Sequence, residues 1–334
     1  MTAPRLLPPR IRLSPEAAMK VGILANPKHA RTTRAYVRLV EVLKRKRITY
    51  RSATTTPQWP GTEQTSQLLD WGADLVVVLG GDGTLRASAP VLAEARVPGL
   101  IIPTGTANVL SKHIGVRSAE NALKLADVHV GSESMPVCHI PVNEADCFTA
   151  TGSRREHFVS LAGVGGDAMA ISGHARLPAA LRLGVLGYAY GASRALFAPL
   201  IKTRLMDPHS ASPQFDGTTV TEAWSVMAAK TSRPAGPIPV FDHAKVSADE
   251  FEFLAVELRS TQAGDRLGEW AQIGWNRLNR RRASHSSMHY WQGTELSIIL
   301  ETPTQVQLDG DLIGDCRRLD LRAGTTSLAV LTPN

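Results

Sequence analysis

The chain has 334 residues, 43% apolar and 20% charged, so it can bury a core and is not disordered as a whole. Lys and Arg number 37 against 30 Asp and Glu, a net charge of +7 that suits an anionic partner and selects none. Three widely spaced cysteines, Cys138, Cys147 and Cys316, argue against a disulfide framework or a Cys-rich zinc site and for a reducing compartment.

Residues 1–19 are rich in Pro and Arg, lack a secretory apolar core, and predict a flexible extension. The apolar run Lys20–Leu24 predicts a strand, ended by the turn pair Asn26-Pro27. Helical spacing of Ala35, Leu39, Val42 and Leu43 predicts a helix over 31–47. A strand is expected at Ile48–Ser52, a loop at 54–62 and a helix over 63–71. Leu75–Leu79 is a continuous β-branched and leucine run, the mark of a strand buried on both faces. A Gly-rich turn at 80–83, a helix over 85–95, a strand at Leu100–Ile102, a turn at Pro103–Thr106 and a helix over 107–114 follow. Strands alternating with helices predict a Rossmann-like parallel sheet.

After about residue 130 the rhythm changes. Met135–Val142, Cys147–Ala150, Phe158–Ala162, Ala223–Ala228, Phe251–Leu258, Leu296–Leu300, Gln305–Leu308 and Ser327–Leu331 predict strands, and a helical hairpin is expected at about 167–203. The pattern predicts a mostly antiparallel β-sandwich with a helical insertion. The expected domains are 20–134 and 135–321, with 322–334 returning to the first. The longest uncharged apolar-leaning stretch, Leu183–Ser193, is too short to span a membrane. Residues 276–290 are basic and polar and predict a mobile segment.

The strongest local signal is Gly80-Gly81-Asp82-Gly83-Thr84, between a buried strand and a helix. Its glycines would permit unusual dihedrals and close approach of a ligand. Successive N–H groups and the positive end of the next helix would cradle a phosphate. Asp82 would repel a bare phosphate, which implies Mg²⁺ or a hydroxyl to be deprotonated. Pro103-Thr104-Gly105-Thr106-Ala107-Asn108 and Asn26-Pro27-Lys28-His29 leave neighbouring strands on the same side, so three loops converge on one crevice.

The order NP, GGDGT, PTGTAN, then GVGGDA and a late DGD resembles the diacylglycerol kinase catalytic-domain family, in particular bacterial soluble lipid kinases related to sphingosine kinases. That family belongs to one superfamily with NAD kinases. The resemblance extends over about residues 20–332 and is more specific in the first domain. It implies ATP- and Mg²⁺-dependent phosphoryl transfer to a lipid hydroxyl, diacylglycerol by default, with the nucleotide between an α/β domain and a β-rich domain. It places Asn26, Pro27, Lys28, Thr54, Thr55, Gly80, Gly81, Gly83, Thr84, Gly105, Thr106 and Asn108 at the nucleotide, Asp82 at the metal, and Asp82, Asp311 or Asp309 as the acid that readies the acceptor. Gly163, Gly165 and Asp167 match the family's G-x-G-[FY]-D element.

The chain also departs from that pattern. Lys28-His29 replaces Ser-Gly, Val109 stands where Asp often follows Asn108, Gly166 takes the aromatic slot, and Asp311 replaces the Glu of D-G-E. Relatives often carry an Asp-Asp-Gly turn that binds a structural Mg²⁺ largely through backbone oxygens. Here Ser247-Ala248-Asp249-Glu250-Phe251 lacks the glycine, and that metal is not expected. These departures keep a non-catalytic nucleotide- or lipid-binding regulator in view, and Asn143-Glu144 keeps a NAD kinase in view.

Other motifs argue against other chemistries. G-x-G-x-x-A at 163–168 lacks the acidic residue about 20 positions on that a dinucleotide site needs. G-x-x-x-x-G-K-[ST], H-E-x-x-H, C-x-x-C and G-x-S-x-G are absent. The basic clusters Lys44–Arg47 and Arg280–Arg282 suit anionic headgroups, and nothing accompanies them that would read nucleic acid. A cytoplasmic protein in peripheral contact with a membrane is expected, with a homodimer as one open assembly.

Overall fold

A computed structural model describes residues 9–12, 19–132, 134–175, 195–207, 218–234, 238–259, 263–278 and 287–333. The chain divides into two units, one running to Val142 and including Thr325–Asn334, the other Asn143–Gly324.

The first unit is built on a seven-stranded sheet. Its parallel part comprises β2 (Lys20–Ala25), β3 (Thr49–Thr54), β4 (Leu75–Gly80), β5 (Gly99–Pro103) and β17 (Ser327–Leu331). Two antiparallel strands, β6 (Ser134–Pro141) and β1 (Arg10–Arg12), complete the order β1-β6-β17-β5-β4-β2-β3. Every residue of β4 and β5 is buried, as a strand covered on both faces requires. Helices α1 (Ala30–Arg45) and α5 (Ala119–His129) pack together, as do α2 (Thr62–Asp70) and α3 (Asp82–Ala95). In α1 the buried residues Ala35, Leu39, Val42 and Leu43 are the four whose spacing predicted the helix. Leu39 is fully buried, and Leu39→Ala is expected to cost about 2–5 kcal/mol, read by urea unfolding.

Four expectations change here. Asp82 and Gly83 lie in the first turn of α3 rather than in a preceding turn. Arg10–Arg12, inside the expected flexible extension, pairs with β6. Met135–Val142, expected to open the second domain, supplies β6 to the first unit's sheet. The helix expected over 107–114 is the five-residue α4 (Val109–His113).

The second unit is one antiparallel sheet of ten strands: β7 (Asn143–Phe148), β8 (Ser153–Phe158), β9 (Leu161–Gly165), β10 (Ile201–Met206), β11 (Thr218–Ala223), β12 (Ser225–Ala229), β13 (Phe251–Val256), β14 (Met288–Gly293), β15 (Glu295–Leu308) and β16 (Asp311–Arg322). Its main path is β14-β13-β12-β9-β15-β16-β7-β8, with β10 bridging β15 and β11. In this path β8 and β9 are four steps apart, about 19 Å in a flat sheet. Only Val159 and Ser160 join them, a link that spans at most about 10 Å. The sheet must therefore curl, and its inner face closes on one core. Phe158 of β8 stacks on Phe251 of β13 with ring centroids 5.6 Å apart. The two layers expected of a sandwich are thus joined by continuous hydrogen bonding through β15.

Helix α6 (Gly166–Ala175) begins the expected hairpin, but 201–206 is strand β10 and residues 176–194 lie outside the described residues. Helix α7 (Ala263–Leu278) and strand β14 occupy the two ends of the stretch expected to be mobile. Residues 279–286, with Arg280–Arg282, lie outside the described residues. Among the described residues no helix is long and apolar enough to cross a membrane.

Candidate functional site

The first unit's site grows from the strand order. β2 sits between β3 and β4, so the chain leaves β2 toward one edge and later returns on its other side. Reversal points of this kind, at the carboxyl ends of parallel strands, open a crevice. The loops after β2, β4 and β5 meet there.

Their meeting is fixed by hydrogen bonds. The Asn26 amide donates to Leu79 O (2.9 Å), and its Nδ2 donates to the Thr84 hydroxyl (3.1 Å). The Thr104 and Gly105 amides both donate to Gly80 O (2.9 and 3.2 Å). The Thr32 hydroxyl, in the first turn of α1, donates to the Thr104 hydroxyl (2.8 Å). The Leu110 amide donates to Asp82 Oδ1 (3.3 Å), joining the starts of α3 and α4. At the end of β3 the Thr55 amide donates to Ala25 O (3.0 Å), and Thr54 O accepts from Gln64. Pro27, Lys28 and Thr106 are exposed at the rim; the Lys28 amide closes a turn onto Asn26 Oδ1 (3.1 Å).

The glycines serve contact rather than unusual dihedrals. Gly80, Gly81, Gly83 and Gly105 are all outside the left-handed region. A Cβ on Gly105 would lie 2.5 Å from Gly81 Cα, and one on Gly81 would lie 3.1 Å from Gly105 Cα. The two loops therefore touch backbone to backbone. Gly81 begins α3 with no side-chain cap, so the first amides of a 14-residue helix keep their positive end for a ligand. Asn108, left-handed at φ 49°, donates to Gly105 O (2.8 Å) and turns its Oδ1 inward. That oxygen is buried without a hydrogen-bond partner, 2.8 Å from where a Gly105 Cβ would stand. His29 precedes α1; partial burial, then Arg31 and Lys28, lower its pKa and favour the neutral ring.

Thr32, and its pairing with Thr104 of the second loop, escaped the sequence reading, because a hydroxyl pair 72 positions apart leaves no local pattern. Both are almost fully buried, so Thr104→Val strands a partner and is expected to cost about 1–3 kcal/mol in urea unfolding.

The second unit contains the other two acids named at the sequence level. Asp309 and Gly310 both have positive φ, the two-residue turn that Asp-Gly favours, and they join β15 to β16. The Asp309 carboxylate accepts four hydrogen bonds: Val159 N (2.8 Å), Ser160 N (2.8 Å), Ser160 Oγ (2.6 Å) and Leu161 N (2.9 Å). Burial raises its pKa against the pull of those donors. Its geometry is that of a clamp on the β8–β9 link, not of a proton acceptor for an outside molecule. Asp311 opens β16 half-exposed.

Asp167, in the first turn of α6, accepts from Ser225 Oγ (2.7 Å) and Gln307 Nε2 (2.9 Å), and Gln307 Oε1 accepts from Gly310 N (2.9 Å). Burial raises the Asp167 pKa, opposed by those hydrogen bonds. A Cβ on Gly163 would collide with the Asp167 carboxylate, and one on Gly166 with the Trp224 ring. Trp224 thus stands over the position where an aromatic residue was expected at 166. Gly166→Ala should push that ring out and lower thermal stability, as overpacked sites do, by about 1–3 kcal/mol.

Residues 20–140 match the family model described as the diacylglycerol kinase catalytic domain. Three solved structures share the fold of the whole chain. One is a diacylglycerol kinase from Bacillus anthracis str. Sterne, at 18% identity and TM-score 0.61, over 96% of this chain and 98% of that one. Another structure from the same organism has 18% identity and TM-score 0.65, over 95% and 97%. A yeast NADH kinase complexed with NADH has 13% identity and TM-score 0.56, over 97% and 89%. No curated protein matches the chain.

Proposed function

We propose, for a chain whose residues 20–140 match the family model of the diacylglycerol kinase catalytic domain, that it is an ATP-dependent kinase acting on a lipid hydroxyl, diacylglycerol first and a sphingoid base next. The observation that carries this reading is the backbone contact of Gly81 with Gly105, which opens a side-chain-free floor beside the uncapped start of α3. Polyphosphate fits such a floor: amide donors and a helix's positive end favour anions, and a Cβ would fill the space.

The residues present fit a nucleotide and its metal. When bound, Mg²⁺-ATP would supply the phosphoryl group and neutralise its charge. The amides from Gly81 to Thr84 would hold the phosphates, Lys28 would add a point charge at the rim, and Asp82 would hold the metal. The stranded Asn108 Oδ1 would accept from a donor on the ligand, so Asn108→Ala should weaken nucleotide binding by roughly tenfold in calorimetric titration. Asp311 would orient or deprotonate the acceptor hydroxyl, as a nearby carboxylate does. The proposed protein works in the cytoplasm and meets membrane through Lys44, Lys46 and Arg47 at the end of α1 and through Arg280–Arg282, each charge worth about 1 kcal/mol near an anionic surface. Arg45 of that cluster is already paired with Asp127 (2.7 Å).

The test is transfer from radiolabelled ATP to diacylglycerol, a sphingoid base, NAD and NADH, with Asp82→Ala and Asp311→Ala alongside. Label should reach lipid and fall about 100-fold or more in each variant. Label confined to NAD or NADH would establish the other kinase reading. ATP binding with no transfer to any acceptor would establish a regulator. Undiminished transfer in both variants would remove the assigned acids.

A further inference from the structure

The segment leading into β13 is held by two buried charges of opposite sign. Lys230, directly after β12, is fully buried, and its Nζ donates to Ala248 O (2.7 Å) and Glu250 O (3.0 Å) while lying 4.6 Å from the centre of the Phe251 ring. Glu252, 3% exposed in β13, accepts from the amides of Asp242 (3.3 Å), His243 (2.7 Å) and Ala244 (2.7 Å). Ala229 pairs with Glu252 across β12 and β13, so both charges stand at one end of the same ladder. The cation collects the segment's carbonyls and the anion collects its amides.

This is the stretch where the family pattern implies a structural Mg²⁺ on backbone oxygens. The residues present do not fit that ion. Mg²⁺ demands six oxygens in near-octahedral array, and here two backbone oxygens are already spent on an ammonium. A divalent ion beside that ammonium would be repelled at close range in a poorly solvated site. Among the described residues no three His, Cys, Asp or Glu side chains come together to hold a metal.

We propose that Lys230 is a tethered cation that, with Glu252, folds the 241–250 segment without any bound metal. The ammonium is covalently part of the chain, so unlike a bound metal ion it cannot diffuse away, and its charge is lost only by deprotonation. Burial pulls its pKa down to about 8, while Asp249 and Glu250 pull the other way.

Hydrogen–deuterium exchange of the full chain, without nucleotide or lipid, tests this independently of the kinase reading. The amides of Phe241, Asp242, His243, Ala244 and Ala248, all bonded in the structure, are the reporters. Wild-type protection there should be the same in excess EDTA and in excess Mg²⁺. Lys230→Met should speed exchange in 241–250 by about tenfold or more, with the first unit unchanged. Protection in wild type that is lost in EDTA and restored by Mg²⁺ would overturn the proposal, even if the variant failed to fold. So would a Lys230→Met chain whose 241–250 amides exchange as slowly as wild type.

Discussion

Gly105→Ala is expected to reduce nucleotide affinity by at least about 100-fold and to lower stability by about 1–3 kcal/mol. The new methyl would lie 2.5 Å from Gly81 Cα and 2.8 Å from Asn108 Oδ1, so two backbones must part. Neither loop can yield alone, because Thr104 and Gly105 are both hydrogen-bonded to Gly80 O. Gly81→Ala, with 3.1 Å to its nearest neighbour, should act in the same direction and less severely. Gly268→Ala provides the contrast: nothing lies within 4 Å of its Cβ on α7, so it should leave nucleotide binding intact and stabilise by about 0.5–1 kcal/mol. Isothermal titration with Mg²⁺-ATP and thermal unfolding read both quantities. Wild-type affinity in Gly105→Ala would show that the ligand does not use this floor.

Asp309→Ala should separate structure from chemistry in the DGD turn. It leaves three amides and a hydroxyl without their acceptor in a buried site, and a loss of about 3–5 kcal/mol is expected. That is a large part of a typical total stability of about 5–15 kcal/mol. Asp311→Ala, two residues on and half-exposed, should shift unfolding by under about 1 kcal/mol and act on transfer instead. Circular dichroism during urea unfolding distinguishes them. Equal stability of the two variants would mean that the β8–β9 link does not depend on the clamp.

The parallel half of the fold was legible because its signals are local. A six-residue apolar run such as Leu75–Gly80 can only be buried on both faces, and Leu39, Val42 and Leu43 declare a helix face by spacing alone. The site loops were legible for the same reason, since glycine and turn residues sit where strand passes to helix. The work of those glycines was read in part: unusual dihedrals and close approach of a ligand were expected, whereas none of the four has a left-handed φ and the close approach seen is between loops 24 residues apart. Helix α5 was passed over although Ser118 caps it through Asn121 N (3.1 Å) and Ala122, Leu123 and Ala126 line its buried side. The second unit was harder. Its 14-residue β15 was seen as two strands because Glu301-Thr302-Pro303-Thr304 divides its apolar pattern, at the place where the register shifts between Ile299 and Thr304, and β16 was missed because Asp315, Arg317 and Arg318 interrupt its apolar alternation. Lys230 carried no signal at all: a single lysine after a strand looks like surface until the carbonyls around it are seen.

The position of β17 has a consequence for synthesis on the ribosome. Ser327–Leu331 enters the middle of the first unit's sheet, between β5 and β6 rather than at an edge. Until those residues emerge, β5 and β6 have exposed flanks, and the ladder joining them is missing. The nascent first unit must therefore wait, partly assembled, while some 180 residues of the second are made. A chain arrested shortly before residue 325 would present two open strand edges at once, the condition under which polypeptides pair with the wrong neighbour.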